Sequence, residues 1–398
     1  MSIPFFSIVI PTKGRSFLVG GAIQSVLRQT YSDFEVVVVD NDDTDATARV
    51  VRQFKDSRLR YHRTGGLSMP DNWEAACAQA RGEFLTILED KQALRGQALE
   101  QIDRLVEKHQ PPCLKWWGDT LNDTARVTWM EKTSRSGETR FLQSDEVLRT
   151  FVSGPMSDTS KYLPVGHMSA FSRSLRKKIL SGPIGRFCPP VSPDFTLGLQ
   201  AVTFGEGVLF VDAPLVAMSL RHSNGRSLAQ KTALGRQFMT EIGGANRLWS
   251  RTPIQAPIIP ASLFNDFLEL QSAIPDKLSA YPMDWVNYYV ETWRFLIHLD
   301  KEGVPTTDEF SAFRAALAKE TPDRQQRVWT AIKERVGEPS RSLFKNRIKS
   351  IRRRTGLLAL EQNWKLLQRR LSGQRNVGQF RTPLDYVVWA ERAPQSKS

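Results

Sequence analysis

Five short polar clusters in this chain hold residue types that can bind an anion, hold a cation or move a proton. They are Pro11-Thr12-Lys13-Gly14-Arg15, Asp40-Asn41-Asp42-Asp43, Glu89-Asp90-Lys91-Gln92, Ser192-Pro193-Asp194-Phe195 and Arg221-His222-Ser223-Asn224-Gly225-Arg226-Ser227. The first three follow apolar runs, so they lie where the carboxyl ends of buried strands deliver them. In an open parallel sheet, ligands bind beyond those ends. Carboxylates there accept hydrogen bonds from ribose hydroxyls and a base N–H, or hold a divalent cation on a diphosphate. Bland readings stand beside the functional ones. Asp42 and Asp43 suit the first turn of a helix, where acids favour the dipole. Asp194 suits a helix N-cap, Lys91 a solvated loop, and His222 a surface loop. A Rossmann GxGxxG is absent, which disfavours a dinucleotide, and no Ser-His-Asp or Cys-His arrangement stands out.

The elements that must position these clusters follow from periodicity. Phe5 to Ile10 reads as a buried parallel strand. Leu18, Ala22, Ile23, Val26 and Leu27 recur at helical spacing, and Glu35 to Asp40 is a second strand, making a right-handed βαβ unit. Thr44 to Phe54 reads as a helix and Leu59 to His62 as a strand. Asp71 lies three residues before Glu74, a capping-box spacing that predicts a helix through Ala80. Glu83 to Leu88 is a strand and Gly96 to His109 a helix. Alternation of this kind predicts a mostly parallel sheet covered on both faces. Cys113 to Trp117 and Arg126 to Met130 read as strands, and Ser144 to Val152 as a capped helix. The Gly/Pro-rich stretch from Ser153 to Pro193 reads as a long substrate-binding loop, with His167 a candidate for its pocket. Val208 to Val211 is a last strand, and helical patterns dominate from about Gly235.

The 398 residues carry 40% hydrophobic and 24% charged side chains, which suits a large α/β domain with a smaller appendage and excludes wholesale disorder. No apolar run reaches the length of a membrane span, and the N-terminus lacks a signal peptide's basic region. Cys77, Cys113 and Cys188 form no CxxC pair, which suggests a reduced compartment and a cytoplasmic protein. Of the net charge of +13, a net +10 falls between Arg341 and Arg375, where cations interleave with Leu343, Ile348, Leu357 and Trp364. A cationic amphipathic segment suits an anionic membrane surface, and no RNA- or DNA-binding motif accompanies it. The bland alternative is a solvated helix face.

Four segments become familiar when taken together: Ser7-Ile-Val-Ile-Pro-Thr-Lys-Gly-Arg15, Ala22 to Tyr31 ending Ser-Val-Leu-Arg-Gln-Thr-Tyr, Phe34 to Asp42, and Ala80-Arg-Gly-Glu-Phe through Asp90. They resemble the GT-A family 2 glycosyltransferases over residues 5–95, with scattered features up to about residue 228. The resemblance implies an α/β GT-A fold over residues 1–234, with a nucleotide-binding half (1–110) and an acceptor-binding half (111–234). A helical C-terminal region, 235–398, would follow. It implies an enzyme that moves a sugar, with inversion, from a nucleotide-diphosphate donor to a glycan or lipid-linked acceptor, in the cytoplasm or peripherally at the inner face of a membrane. By that likeness Pro11, Thr12 and Arg15 border the nucleoside, Asp40 and Asp42 face base and ribose, and Asn72 faces the donor. Asp194 is the general base. Asp90, Glu89 and His222 are candidate ligands for Mn²⁺ or Mg²⁺. The third cluster departs from the family's run of two or three acids, because Lys91 and Gln92 follow Asp90. Either a metal binds regardless, or the Lys91 ammonium offsets the diphosphate charge. Two other functions compete: a scaffold that binds nucleotide without turnover, and a nucleotidyltransferase.

Overall fold

The computed structural model describes residues 3–123, 129–131, 135–189, 192–222, 233–241, 244, 249–301, 304–337 and 380–392. The basic segment 341–375 and residues 223–227 of the fifth cluster lie outside them. By contact density the chain divides into two units, Met1–Leu148 with Ser160–His222 and Gly378–Ser398, and Arg149–Thr159 with Ser223–Val377. Residues 378–398, read from sequence as part of the helical C-terminal region, thus group with the first unit.

In the first unit, β1 (Phe6–Thr12) and β2 (Phe34–Asp40) are buried at every position, the reason both read as unbroken apolar runs. They pair in parallel, Ile8 with Val36 and Ile10 with Val38, so Thr12 and Asp40 finish side by side. Alternate residues Phe6, Ile8, Ile10, Val36 and Val38 pack with Val19, Ala22, Ile23 and Val26 of α1 (Ser16–Leu27). After α2 (Ala46–Val51), β3 (Leu59–Arg63) extends the sheet beyond β2, and α3 (Met69–Ala78) also packs on β1 and β2. β4 (Phe84–Ile87) joins the other side of β1, again in parallel. The bend into β4 explains the Ala80-Arg-Gly-Glu segment. A Cβ at Gly82 would lie 2.6 Å from the Ser7 nitrogen. That close approach lets Gly82 N donate to Ser7 Oγ at 2.7 Å. Ser7 Oγ in turn donates to Glu35, a buried carboxylate that also accepts from the Arg81 backbone and from Arg60.

Beyond β4 the sheet is mixed. β5 (Gln92–Leu94) and α4 (Ala98–His109) precede β6 (Cys113–Asn122), β7 (Trp129–Glu131) and β8 (Thr139–Gln143). Then come α5 (Ser144–Ser153), α6 (Met156–Tyr162), β9 (Ser169–Ser172), α7 (Arg173–Leu180), α8 (Pro193–Phe204) and β10 (Gly207–Ser219). The main path of the sheet is β3-β2-β1-β4-β9-β6-β10-β5, with helices on both sides. β9 runs antiparallel between β4 and β6. β10 pairs in parallel with β6 through register shifts around Pro214, and its far end pairs antiparallel with β5.

Two local expectations are corrected. The stretch 153–193 is not a loop throughout: it carries α6, β9 and α7, and β9 completes the sheet with only four residues. Such a short strand is fixed by its neighbours and leaves no periodic signal. The helix α3 opens one register earlier than the Asp71–Glu74 spacing suggests. Ser68 is its cap, accepting from Asp71 N and donating to the Asp71 carboxylate at 2.6 Å. Glu74 is freed for a task described below.

The second unit is helical: α9 (Ala233–Glu241), α10 (Ile259–Ala273), α11 (Pro275–Leu278), α12 (Trp285–Lys301), α13 (Thr307–Leu317) and α14 (Pro322–Arg335). Its core is aromatic. Trp293 of α12 meets Phe310, Phe313 and Trp329 with ring centroids 5.0, 5.1 and 5.4 Å away. The last described helix, α15 (Pro383–Arg392), belongs to the first unit. Its Tyr386 and Val387 cover Ala93, Leu121 and Ala217, and the Tyr386 hydroxyl donates to Asp119 at 2.8 Å.

Lys115 of β6 is fully enclosed, and among the described residues its ammonium has no hydrogen-bond partner. Burial pushes its pKa down to about 7. The unfolded chain therefore binds this proton across roughly pH 7–10.5 while the fold does not, so stability rises with pH over that window. Lys115→Met should stabilise the protein at pH 7 by about 1–4 kcal/mol and flatten that rise. Urea unfolding of both proteins at pH 7 and pH 9 measures it. Equal pH dependence in the two would contradict the assignment.

Candidate active site

The ends of β1 and β4 meet through one carboxylate. Asp90, in the turn after β4, accepts from Thr12 Oγ1 at 2.8 Å and from Arg15 Nη1 at 3.3 Å, one to each oxygen. Burial raises its pKa, and the Arg15 charge and the Thr12 hydrogen bond oppose that rise. Its neighbours form a second pair: Lys91 Nζ lies 3.2 Å from Glu89 Oε1. Burial works to raise the Glu89 pKa, but the neighbouring cationic groups, Lys91 foremost, together outweigh it and the net shift is downward. The turn is fastened from several sides. Leu88 N donates to Val9 O, Glu89 N to Gln92 Oε1, and Ser219 N to Lys91 O. Lys91 is 7% exposed, which removes the reading of a solvated loop lysine.

At the end of β2, Asp40 is enclosed. One oxygen accepts from Asp42 N at 3.0 Å and the other from the Tyr61 hydroxyl at 2.7 Å. Asp42, half-buried, accepts from Thr44. Asn41, its role unread in the sequence, clamps the 64–67 segment by donating to Leu67 O and accepting from Leu67 N. Asn72 is buried, and its side-chain oxygen accepts from Thr64 Oγ1 at 3.0 Å. Pro11 is buried at the same strand end as Thr12. Nothing in local spacing flags Tyr61, Thr64 or Asn41, because each acts through tertiary contacts.

Asp194 lies in the first turn of α8 and is not its N-cap; that position is Ser192. The segment leading to it is tied to α3. Glu74 accepts from the backbone of Phe187 at 3.2 Å and Cys188 at 2.5 Å, Arg186 pairs with Asp71 at 2.7 Å, and the Cys77 and Cys188 sulfurs are 3.8 Å apart. Gly166 brings the opposite wall close. A Cβ there would stand 3.1 Å from the Trp73 ring and 3.4 Å from Asp194 Cα. The next residue, His167, places Nδ1 3.9 Å from Asp194 Oδ2, too long for a hydrogen bond. Burial lowers the His167 pKa, so the ring is neutral near pH 7 and exerts little pull on Asp194 there. Desolvation therefore governs Asp194, whose pKa is raised, with Glu89 adding to the rise. Glu89 thus links the Asp90–Lys91 turn to the His167–Asp194 pair through their mutual fields.

His222 stacks edge-on against Phe17, centroids 5.4 Å apart, and burial together with the Arg15 charge lowers its pKa. The Arg221 backbone donates to Asp123. As metal ligands the candidates fit poorly. Glu89 is paired with an ammonium, Asp90 with a guanidinium, and among the described residues no three His, Cys, Asp or Glu side chains converge.

Residues 7–180 match the profile of "Glycosyl transferase family 2". The chain is 29% identical over 133 residues to a "PGL/p-HBAD biosynthesis glycosyltransferase" of Mycobacterium tuberculosis, covering 32% of this chain and 52% of that protein. It is 32% identical over 103 residues to a "GalNAc(5)-diNAcBac-PP-undecaprenol beta-1,3-glucosyltransferase" of Campylobacter jejuni, covering 25% of this chain and 33% of that one. The chain thus spans about half the length of the first relative. The crystal structure of S. aureus TarS 1–349 in complex with UDP-GlcNAc aligns over 83% of this chain and 91% of its own, at 15% identity and a TM-score of 0.47.

Proposed function

We propose that this chain, whose residues 7–180 match the family 2 glycosyltransferase profile, transfers a sugar with inversion from a nucleotide-diphosphate sugar to an acceptor hydroxyl. The observation that carries the reading is the joining of Thr12, Arg15, Asp90 and Lys91 at the strand ends, with His167 Nδ1 3.9 Å from Asp194 in the same unit. The donor's nucleoside lies against Pro11, Thr12, Asp42 and Asn72, with its diphosphate near Arg15 and Lys91, and the enclosed Asp40 holds that strand end through Tyr61 and the Asp42 backbone. Asp194 takes the acceptor's hydroxyl proton as that oxygen attacks the anomeric carbon. The bond from that carbon to the phosphate oxygen breaks, and the nucleoside diphosphate leaves with the electron pair. A raised pKa suits a general base, because a more basic carboxylate takes up the acceptor's proton more readily. The relatives' printed names, one of them a transferase acting on an undecaprenol-linked glycan, support a glycan or lipid-linked acceptor.

Asp194→Asn preserves shape and removes the base. It should lower kcat about 10²- to 10⁴-fold with donor binding and melting temperature nearly unchanged. The wild-type acid limb of kcat/KM should lie above the ordinary aspartate value of about 3.9, since burial raises this group. A folded Asn variant turning over at the wild-type rate would remove Asp194 from the role.

Among the described residues no helix is long and apolar enough to cross a membrane. The basic segment 341–375 supports the reading of an anionic membrane surface as partner, with the protein peripheral at the inner face. Truncation is a poor test of it, because α15 beyond the segment covers apolar side chains of the first unit. Replacing Arg352, Arg353 and Arg354 with Glu should instead abolish co-sedimentation with phosphatidylglycerol vesicles at low salt and spare transfer to a soluble acceptor. Undiminished co-sedimentation would rule the segment out as the contact.

A further inference from the structure

We propose that Lys91 and Arg15 receive the donor's diphosphate directly and that donor binding needs no divalent metal; this rests on the functional reading above. Two carboxylates at the end of β4 could attract a divalent cation, yet both are already balanced. Lys91 Nζ is 3.2 Å from Glu89, and Arg15 Nη1 is 3.3 Å from Asp90. Two acids and two side-chain cations sum to zero, the same local charge that two carboxylates and one divalent cation would give. A metal would have to displace the ammonium or the guanidinium to enter. His222, the remaining candidate ligand, is packed edge-on against Phe17, and the charges of Arg15 and Arg221 stand against those of Asp123 and Asp90 around it.

The same features suit a diphosphate. The ammonium carries three donors, and its contact with Glu89 uses only part of that capacity. It is held nearly buried on a turn fastened to β1, β5 and β10, so little side-chain freedom remains to be lost on binding. Arg15 stands on the loop after β1, which the register with β2 brings beside Asp40. A phosphate oxygen placed between the two cations shares them with Glu89 and Asp90 and leaves both acids paired.

Calorimetry of the full chain with UDP, GDP, CDP and dTDP, each in excess EDTA and in excess Mn²⁺, tests this. At least one nucleotide should bind, with the same affinity in both conditions. In EDTA, Lys91→Gln should weaken that nucleotide roughly 10- to 100-fold, the range for a charge-assisted hydrogen bond, and Lys91→Arg should retain most of the affinity. If Lys91→Gln fails to fold, the Glu89→Gln/Lys91→Gln pair, which strands no charge, replaces it with the same expectation. Binding that requires Mn²⁺ overturns the inference and leaves the functional reading standing. Unchanged affinity in folded Lys91→Gln, or in the folded Glu89→Gln/Lys91→Gln pair, also overturns it. No binding of any of the four nucleotides in either condition overturns both.

Discussion

The hydrogen bonds from Thr12 and Arg15 to Asp90 hold the site together. They close the turn after β4 onto the loop after β1, and these two segments carry Thr12, Arg15, Glu89, Asp90 and Lys91. Breaking a buried pair of this kind by removing one partner typically costs about 3–5 kcal/mol. The pair is also costly to keep. The Asp90 and Asp194 pKa values are both raised by burial. Each carboxyl therefore holds its proton more tightly in the fold than in the unfolded chain. Its contribution to stability is full below the unfolded pKa and is lost as pH rises through the folded value. Burial thus acts against the ionised form of both groups, a pattern common where a site serves chemistry.

The apolar frame offsets that cost. β1 and β2 are buried along their whole lengths, and their register is what sets Thr12 beside Asp40. On that frame one carboxylate after another acts as a brace: Glu35 for the bend at Gly82, Asp40 for Tyr61, Glu74 for the segment leading to Asp194, and Asp119 for α15. Each joins residues distant in sequence, so the site is positioned by polar contacts that a hydrophobic core alone does not specify.

That division explains what could be read from the sequence. The runs Phe5–Ile10 and Glu35–Asp40 revealed the parallel strands, and their ends, with that of the strand read over Glu83–Leu88, pointed to Thr12, Arg15, Asp90 and Lys91 as candidates. Features that depend on partners far along the chain were hidden. β9 is four residues long and exists because β4 and β6 flank it. Ser68 outcompetes the Asp71–Glu74 spacing because Glu74 is engaged by the backbone of Phe187 and Cys188. The sequence leaves Lys91 open between a solvated loop residue and a diphosphate partner, and its burial against Glu89 removes the first. The grouping of α15 with the first unit could not be read at all.

The central claim is an inverting sugar transfer, and the anomeric configuration of the product tests it most directly. The full chain would be incubated with UDP-glucose, UDP-galactose, UDP-N-acetylglucosamine and GDP-mannose beside a lipid-linked glycan acceptor, and the product followed by proton NMR. The account predicts release of nucleoside diphosphate from one donor and a new glycosidic bond of configuration opposite to that donor's. A product that retains the donor's configuration would contradict it, as would nucleotide binding with no transfer or hydrolysis of any donor.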